Sequence, residues 1–169
     1  MDEPGRARRL LPPRLADLAG LCRALNEAEA RYVLVGGLAV RAHGGERTTK
    51  DVDLLIDPAP ENLARIETAF LVLRYISAGE AANTDAATER GAVPVWDVVV
   101  VDIITEANGV TWEAARTDIV DVEVGGVNVP VVGIRTLLAS KQFFRPGRNY
   151  DEMDARFLQS LLDGHSGRP

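Results

Sequence analysis

Apolar positions along the chain change period several times, and the order of those changes predicts a layered domain. Leu15, Leu18, Leu21, Cys22 and Leu25 recur at helical spacing, which predicts an amphipathic helix from Pro13 to about Ala30. The unbroken run Tyr32–Val35 reads as a buried strand. A short helix from Leu38 to about His43 follows and stops at Gly44-Gly45. A second strand runs from about Asp51 to Ile56, where Asp57-Pro58 breaks it. From Pro60 to Arg74 the spacing of Leu63, Ile66, Phe70 and Leu73 predicts another helix, with proline near its first turn. Residues 78–91 carry no period and read as a long loop.

Val93 to Ile104 reads as one strand region, its continuous apolar character implying burial on both faces. Trp112 to Ala115 reads as a helical turn. The β-branched runs Ile119–Val124 and Val127–Val132, parted by Gly125-Gly126, predict a hairpin with a two-residue turn. Helices from Ile134 to about Phe144 and from Tyr150 to about Leu162 complete the pattern. The mixture predicts an α/β (α+β) fold, a central mixed sheet flanked by helices.

A length of 169 residues suits one domain. Its expected span is 14–164, between a mobile basic arm at 1–13, carrying Arg6, Arg8 and Arg9, and a tail at 165–169 that includes His165. No apolar run approaches membrane-spanning length, and the chain is expected to be cytoplasmic with no membrane partner. The single cysteine, Cys22, excludes an internal disulfide and a cysteine-based zinc site; its helical spacing makes it a core residue. A net charge of −6 excludes non-specific coating of nucleic acid, while Arg135, Lys141, Arg145 and Arg148 leave room for a local basic groove.

The candidate chemistry begins at Gly36-Gly37. Glycine permits close backbone approach to a phosphate, and a helix opening after it favours an anion. Asp51 and Asp53, two apart on a strand, share a face and offer hard oxygen ligands to Mg²⁺. Asp102, set among β-branched residues, is the third candidate, since a buried carboxylate demands a cation or donors. Asp97 competes for that role but falls on the opposite face if one strand holds both. Three convergent carboxylates beside a phosphate cradle suit in-line attack on the α-phosphorus of a nucleoside triphosphate, which is nucleotidyl transfer.

Lys141 and Arg145 share a helix face and are candidates to hold the triphosphate with Arg148. Arg47 and Lys50 flank the carboxylates, touching phosphate or pairing with acids. Asp154 is a candidate to orient Lys141 or bind the acceptor, whereas Asp151 and Glu152 suit the first turn of a helix as acids favoured by its dipole. Thr49 shares the face of Asp51, so a phosphate on its hydroxyl is expected to oppose nucleotide binding. His43 caps or packs the short helix.

Gly36-Gly37, Arg47-x-Thr49-x-Asp51-x-Asp53 and the later Asp102 resemble the DNA polymerase β-like nucleotidyltransferase superfamily. The longer Gly-Gly-x-Ala-x-x-x-His-Gly-x-x-Arg-x-Thr-x-Asp-x-Asp form is similar to the AbiEii and MenT type of nucleotidyltransferase toxin. Lys141 and Asp151-x-x-Asp154 fall where that group carries a lysine helix and a final Asp-x-x-Asp helix, so the likeness spans about residues 31–160. Gly37 departs from it, standing where serine is often found. The resemblance implies a polymerase-β-like fold with C-terminal helices, Mg²⁺ held by Asp51, Asp53 and Asp102, and an NTP substrate. It further implies addition of nucleotides to the 3′ end of tRNA, which blocks aminoacylation and translation, and a cognate antitoxin partner. The alternatives are transfer to a protein or an aminoglycoside-like molecule, or a non-catalytic binding or antitoxin module. No residue pattern reads as a base preference or as a known RNA-binding module.

Overall fold

The computed structural model describes residues 14–73, 91–95, 99–142 and 149–166. A 3₁₀ turn at Leu15–Leu18 leads into α1 (Ala19–Glu27), so the first expected helix is divided and ends earlier than its apolar spacing suggests. Glu29, at φ 55, turns the chain out of the helix toward β1 (Tyr32–Val35). α2 (Gly36–Ala42) starts directly on the glycine pair, two residues before its expected start. The cause is Gly36, whose φ of +66 lets strand become helix with no intervening loop.

β2 (Asp51–Ile56) and α3 (Pro60–Leu73) follow. The expected single strand over 93–104 is instead two strands, β3 (Gly91–Val95) and β4 (Val99–Ile104), paired antiparallel. A continuous apolar run carries no period by which a reversal could be seen. Nor is β4 buried on both faces: Val101 and Ile103 are buried, while Asp102 and Ile104 on the other face are half-buried. Asp97 precedes β4 and lies outside the described residues, as do Arg145, Arg148, the arm at 1–13 and most of the expected loop.

A small hairpin, β5 (Glu106–Ala107) and β6 (Val110–Thr111), was not expected. Asn108 and Gly109 form its turn, with φ 49 and 82, the left-handed pair that a tight two-residue hairpin requires. Its strands are too short to show alternation, although Asn-Gly is itself a strong turn signal. After α4 (Trp112–Ala115) comes the hairpin β7 (Ile119–Val124) and β8 (Val127–Val132) with the expected bounds. α5 (Ile134–Gln142) and α6 (Asn149–Ser166) close the described chain, α6 reaching past the expected domain end.

The six-stranded sheet has the order β3-β4-β2-β1-β8-β7. β1 lies antiparallel to β2 and parallel to β8, and β2 lies parallel to β4, which makes the sheet mixed. Leu21, Cys22, Leu25, Val33, Leu34, Val52, Leu54, Val129 and Val131 form the heart of the core. Fully buried Asn62 ties α3 to two strand ends: it accepts from the Arg31 amide at 2.6 Å and donates to the Arg31 and Asp57 carbonyls at 2.9 and 2.8 Å. Arg31 also donates to Asp57 at 2.6 Å. These bonds fix where β1 begins and β2 ends, and hence which residues of the two strands lie opposite one another.

Candidate active site

The register of the sheet assembles the carboxylates. Asp53 is the direct partner of Asp102 across the β2–β4 pair, and of Val35 across the β1–β2 pair. Asp51, two residues back, shares its face. All three line one cavity of about 190 Å³, with Gly36 and Gly37 along one side and Lys141 along another. Asp53 feels the crowding most. Burial, then the charges of Asp102 and Asp51, push its carboxyl up to about 6, against the opposing pull of Lys141 and Arg47.

The glycines are required by contact as well as by turning. A Cβ on Gly36 would overlap the Asp53 carboxylate, and φ +66 is itself strained for any L side chain. Gly36→Ala is therefore expected to cost about 1–2 kcal/mol from backbone alone and to displace Asp53. Thermal melts and NTP binding check this, and an unchanged melting temperature with full binding would sink it. At Gly37 a Cβ would stand 2.8 Å from the Thr49 Cβ and 2.9 Å from its hydroxyl. Thr49 thus fills the space that a serine at position 37 would need, and sets its own hydroxyl there. That hydroxyl donates to the Asp51 carbonyl at 3.2 Å.

Cationic groups are held beside the carboxylates by the last helix. Lys141 Nζ lies 3.1 Å from Asp151 Oδ1 and 3.1 Å from Asp154 Oδ2, and all three residues are buried. Arg47 Nη1 also donates to Asp154 Oδ2. The helix carrying Lys141 is aimed by Asp118, whose carboxylate accepts from the Thr136 amide and hydroxyl at 3.1 and 2.8 Å near the start of α5.

Among the expected site residues, Gly36, Gly37, Arg47, Thr49, Asp51, Asp53, Asp102 and Lys141 line the cavity together. Asp154 stands behind them, bound to Arg47 and Lys141. Lys50 is exposed and outside the lining, and His43 donates to or accepts from no cavity residue, its Nε2 lying 2.8 Å from the Val132 carbonyl. Asp151 lies in the first turn of α6 as expected, and it is also a buried partner of Lys141 that lines the cavity. Its i, i+3 spacing from Asp154 was the available signal, since both then share one helix face. Glu106, Ala107 and Asn108 complete the lining and were missed with their hairpin.

Among the described residues no three Asp, Glu, His or Cys side chains gather into a ready metal cage. Mg²⁺ does not need one, because it keeps several waters and takes one or two carboxylates together with substrate phosphates. Half-buried carboxylates crowded enough to raise Asp53 fit such a cation.

The model of the nucleotidyl transferase AbiEii toxin family, type IV toxin–antitoxin system, matches residues 20–143. This chain belongs to the AbiEii family. Membership makes nucleotidyl transfer the family activity and implies an NTP substrate and an antitoxin partner. The matched span contains β1 through α5, with every carboxylate of the cavity except those on α6.

Solved structures agree on the fold. The AbiEii-family chain is similar to ANT(2″)-Ia, solved in complex with adenylyl-2″-tobramycin, at a TM-score of 0.60 and 15% identity over 90% of this chain and 91% of that one. It is similar to an antigenic nucleotidyltransferase-like protein from Paracoccidioides brasiliensis, with a TM-score of 0.56 and 18% identity over 89% of this chain and 76% of that one. No curated protein sequence matches it. Among the described residues, no helix is long and apolar enough to cross a membrane.

Proposed function

We propose that this protein transfers a nucleotidyl group from a Mg²⁺-bound nucleoside triphosphate to the 3′ end of tRNA, in the cytoplasm, and so blocks aminoacylation until an antitoxin restrains it. The observation that carries the transfer chemistry is the in-register pairing of Asp53 with Asp102, beside Asp51 and against Gly36. The tRNA acceptor rests on the sequence resemblance to toxins of the MenT type.

In this reading Gly36 and Gly37 admit the terminal phosphates to the start of α2. Asp51, Asp53 and Asp102 would hold the cation, which would neutralise the triphosphate and lower the pKa of the acceptor hydroxyl. Asp102, flanking Asp53 on the side away from the glycines, takes the hydroxyl proton as the oxygen attacks the α-phosphorus. Lys141 and Arg47, held in place by Asp151 and Asp154, meet the negative charge that gathers on the departing pyrophosphate. Arg145 and Arg148 belong to the same basic stretch as Lys141, and Lys50 is exposed beside Asp51 in the chain.

Purified protein incubated with total RNA, Mg²⁺ and each labelled NTP in turn is expected to label a tRNA-sized band. Label appearing instead on protein, or on an aminoglycoside, would replace the acceptor, and no transfer to any of them would overturn the proposal.

A further inference from the structure

The cavity has a wall that nothing above uses. Glu106, Ala107 and Asn108 of the β5–β6 hairpin line it, although this hairpin lies outside the carboxylate, glycine and lysine elements. The chain order sets that wall next to the last carboxylate strand. The glycines stand at the end of β1, Asp51 and Asp53 on the neighbouring β2, Asp102 on β4 beyond it, and the hairpin follows β4 directly. A triphosphate with its terminal phosphates over Gly36-Gly37 and its α-phosphate at the carboxylates leaves the hairpin part of the lining for its nucleoside.

Size leads to the same place. A cavity of about 190 Å³ is smaller than the roughly 300–1,000 Å³ of sites that enclose a whole small-molecule ligand. It holds phosphates and a cation, and the nucleoside must extend over a rim.

The three hairpin residues differ in what they can do there. Ala107 has no polar side chain. Glu106 is engaged in the turn, its Oε1 accepting from the Gly109 amide at 3.1 Å. Asn108 is half-buried, and its side-chain amide has no partner among the described residues. Other neutral polar side chains of the lining are spent on backbone: Ser140 Oγ donates to the Leu137 carbonyl at 2.6 Å and Thr49 to Asp51. An amide that presents one donor edge and one acceptor edge suits the hydrogen-bonding edge of a nucleobase.

We infer that the β5–β6 hairpin is the nucleobase wall of the site and that Asn108 selects which base of the incoming triphosphate is accepted. This rests on the nucleotidyl-transfer reading. It assigns base selection to a side chain on a tight turn, where the left-handed backbone sets the direction in which that side chain leaves the main chain.

Asn108→Gly separates this role from a structural one, because glycine takes φ 49 without strain and keeps the turn. Binding of the α,β-methylene analogues of ATP, GTP, CTP and UTP, with Mg²⁺, is measured by calorimetry on the full chain, with inorganic tripolyphosphate as the phosphate-only probe. The wild type is expected to favour one base by roughly fivefold or more, about the worth of one or two hydrogen bonds. Asn108→Gly should bring the four to within about twofold of one another and leave tripolyphosphate binding unchanged. Equal wild-type binding of all four, a preference that survives Asn108→Gly, or a parallel loss of tripolyphosphate binding each overturns the inference. Failure of the wild type to bind any of the four overturns the transfer reading itself.

Discussion

Asp53→Asn is expected to lower nucleotidyl transfer about a thousandfold or more while making the protein more stable in EDTA. The two effects have one cause. Burial and the neighbouring Asp102 and Asp51 raise the Asp53 carboxyl from 3.8 to about 6. A carboxyl whose folded pKa lies above its unfolded value costs stability as pH rises through that interval, and the whole cost is present at pH 7. A shift of this size corresponds to on the order of 1–3 kcal/mol, which the neutral amide removes. Mg²⁺ with NTP should raise the melting temperature of the wild type and not of the variant. Urea titrations in EDTA and in Mg²⁺ test this, and a variant less stable than wild type in EDTA would contradict it.

Lys141→Met should have the opposite sign in stability and the same sign in activity. The lysine is buried with Asp151 and Asp154, and its removal leaves Asp151 without that cation and Asp154 with Arg47 alone. Breaking a buried pair in this way costs about 3–5 kcal/mol, because an uncompensated charge remains inside. Adding Asp151→Asn should recover a large part of that stability and none of the transfer, since the lysine of the cavity lining stays absent. A loss under about 1 kcal/mol for the single variant would show that α6 does not depend on these pairs.

The strands with edges marked by glycine or proline were legible from sequence. β1, β2, β7 and β8 have the expected bounds because Gly36, Asp57-Pro58 and Gly125-Gly126 end them, and local rules govern such ends. The β3–β4 reversal was hidden in a mostly apolar run interrupted only by Asp97 and Asp102. Asp51 and Asp53 could be placed on one face by counting, but that Asp102 lies opposite Asp53 depends on a parallel pairing, which strand spacing does not encode. The burial of Asp151 was hidden for a similar reason. Its local position fits a helix start, as observed, and only the arrival of Lys141 from α5 makes it a buried partner. Asn108-Gly109 was readable as a turn, yet its place in the cavity follows from the sheet order.

The bond between Arg47 and Asp154 joins residues 107 positions apart. During synthesis the glycine pair and all three cavity-floor aspartates leave the ribosome before α6 does, so a nascent chain carries its carboxylates early but has nothing to hold Arg47 and Lys141 in place. A prematurely ended chain is in the same condition. The two cations of the cavity therefore gain their carboxylate partners only when the final helix folds back onto the first half.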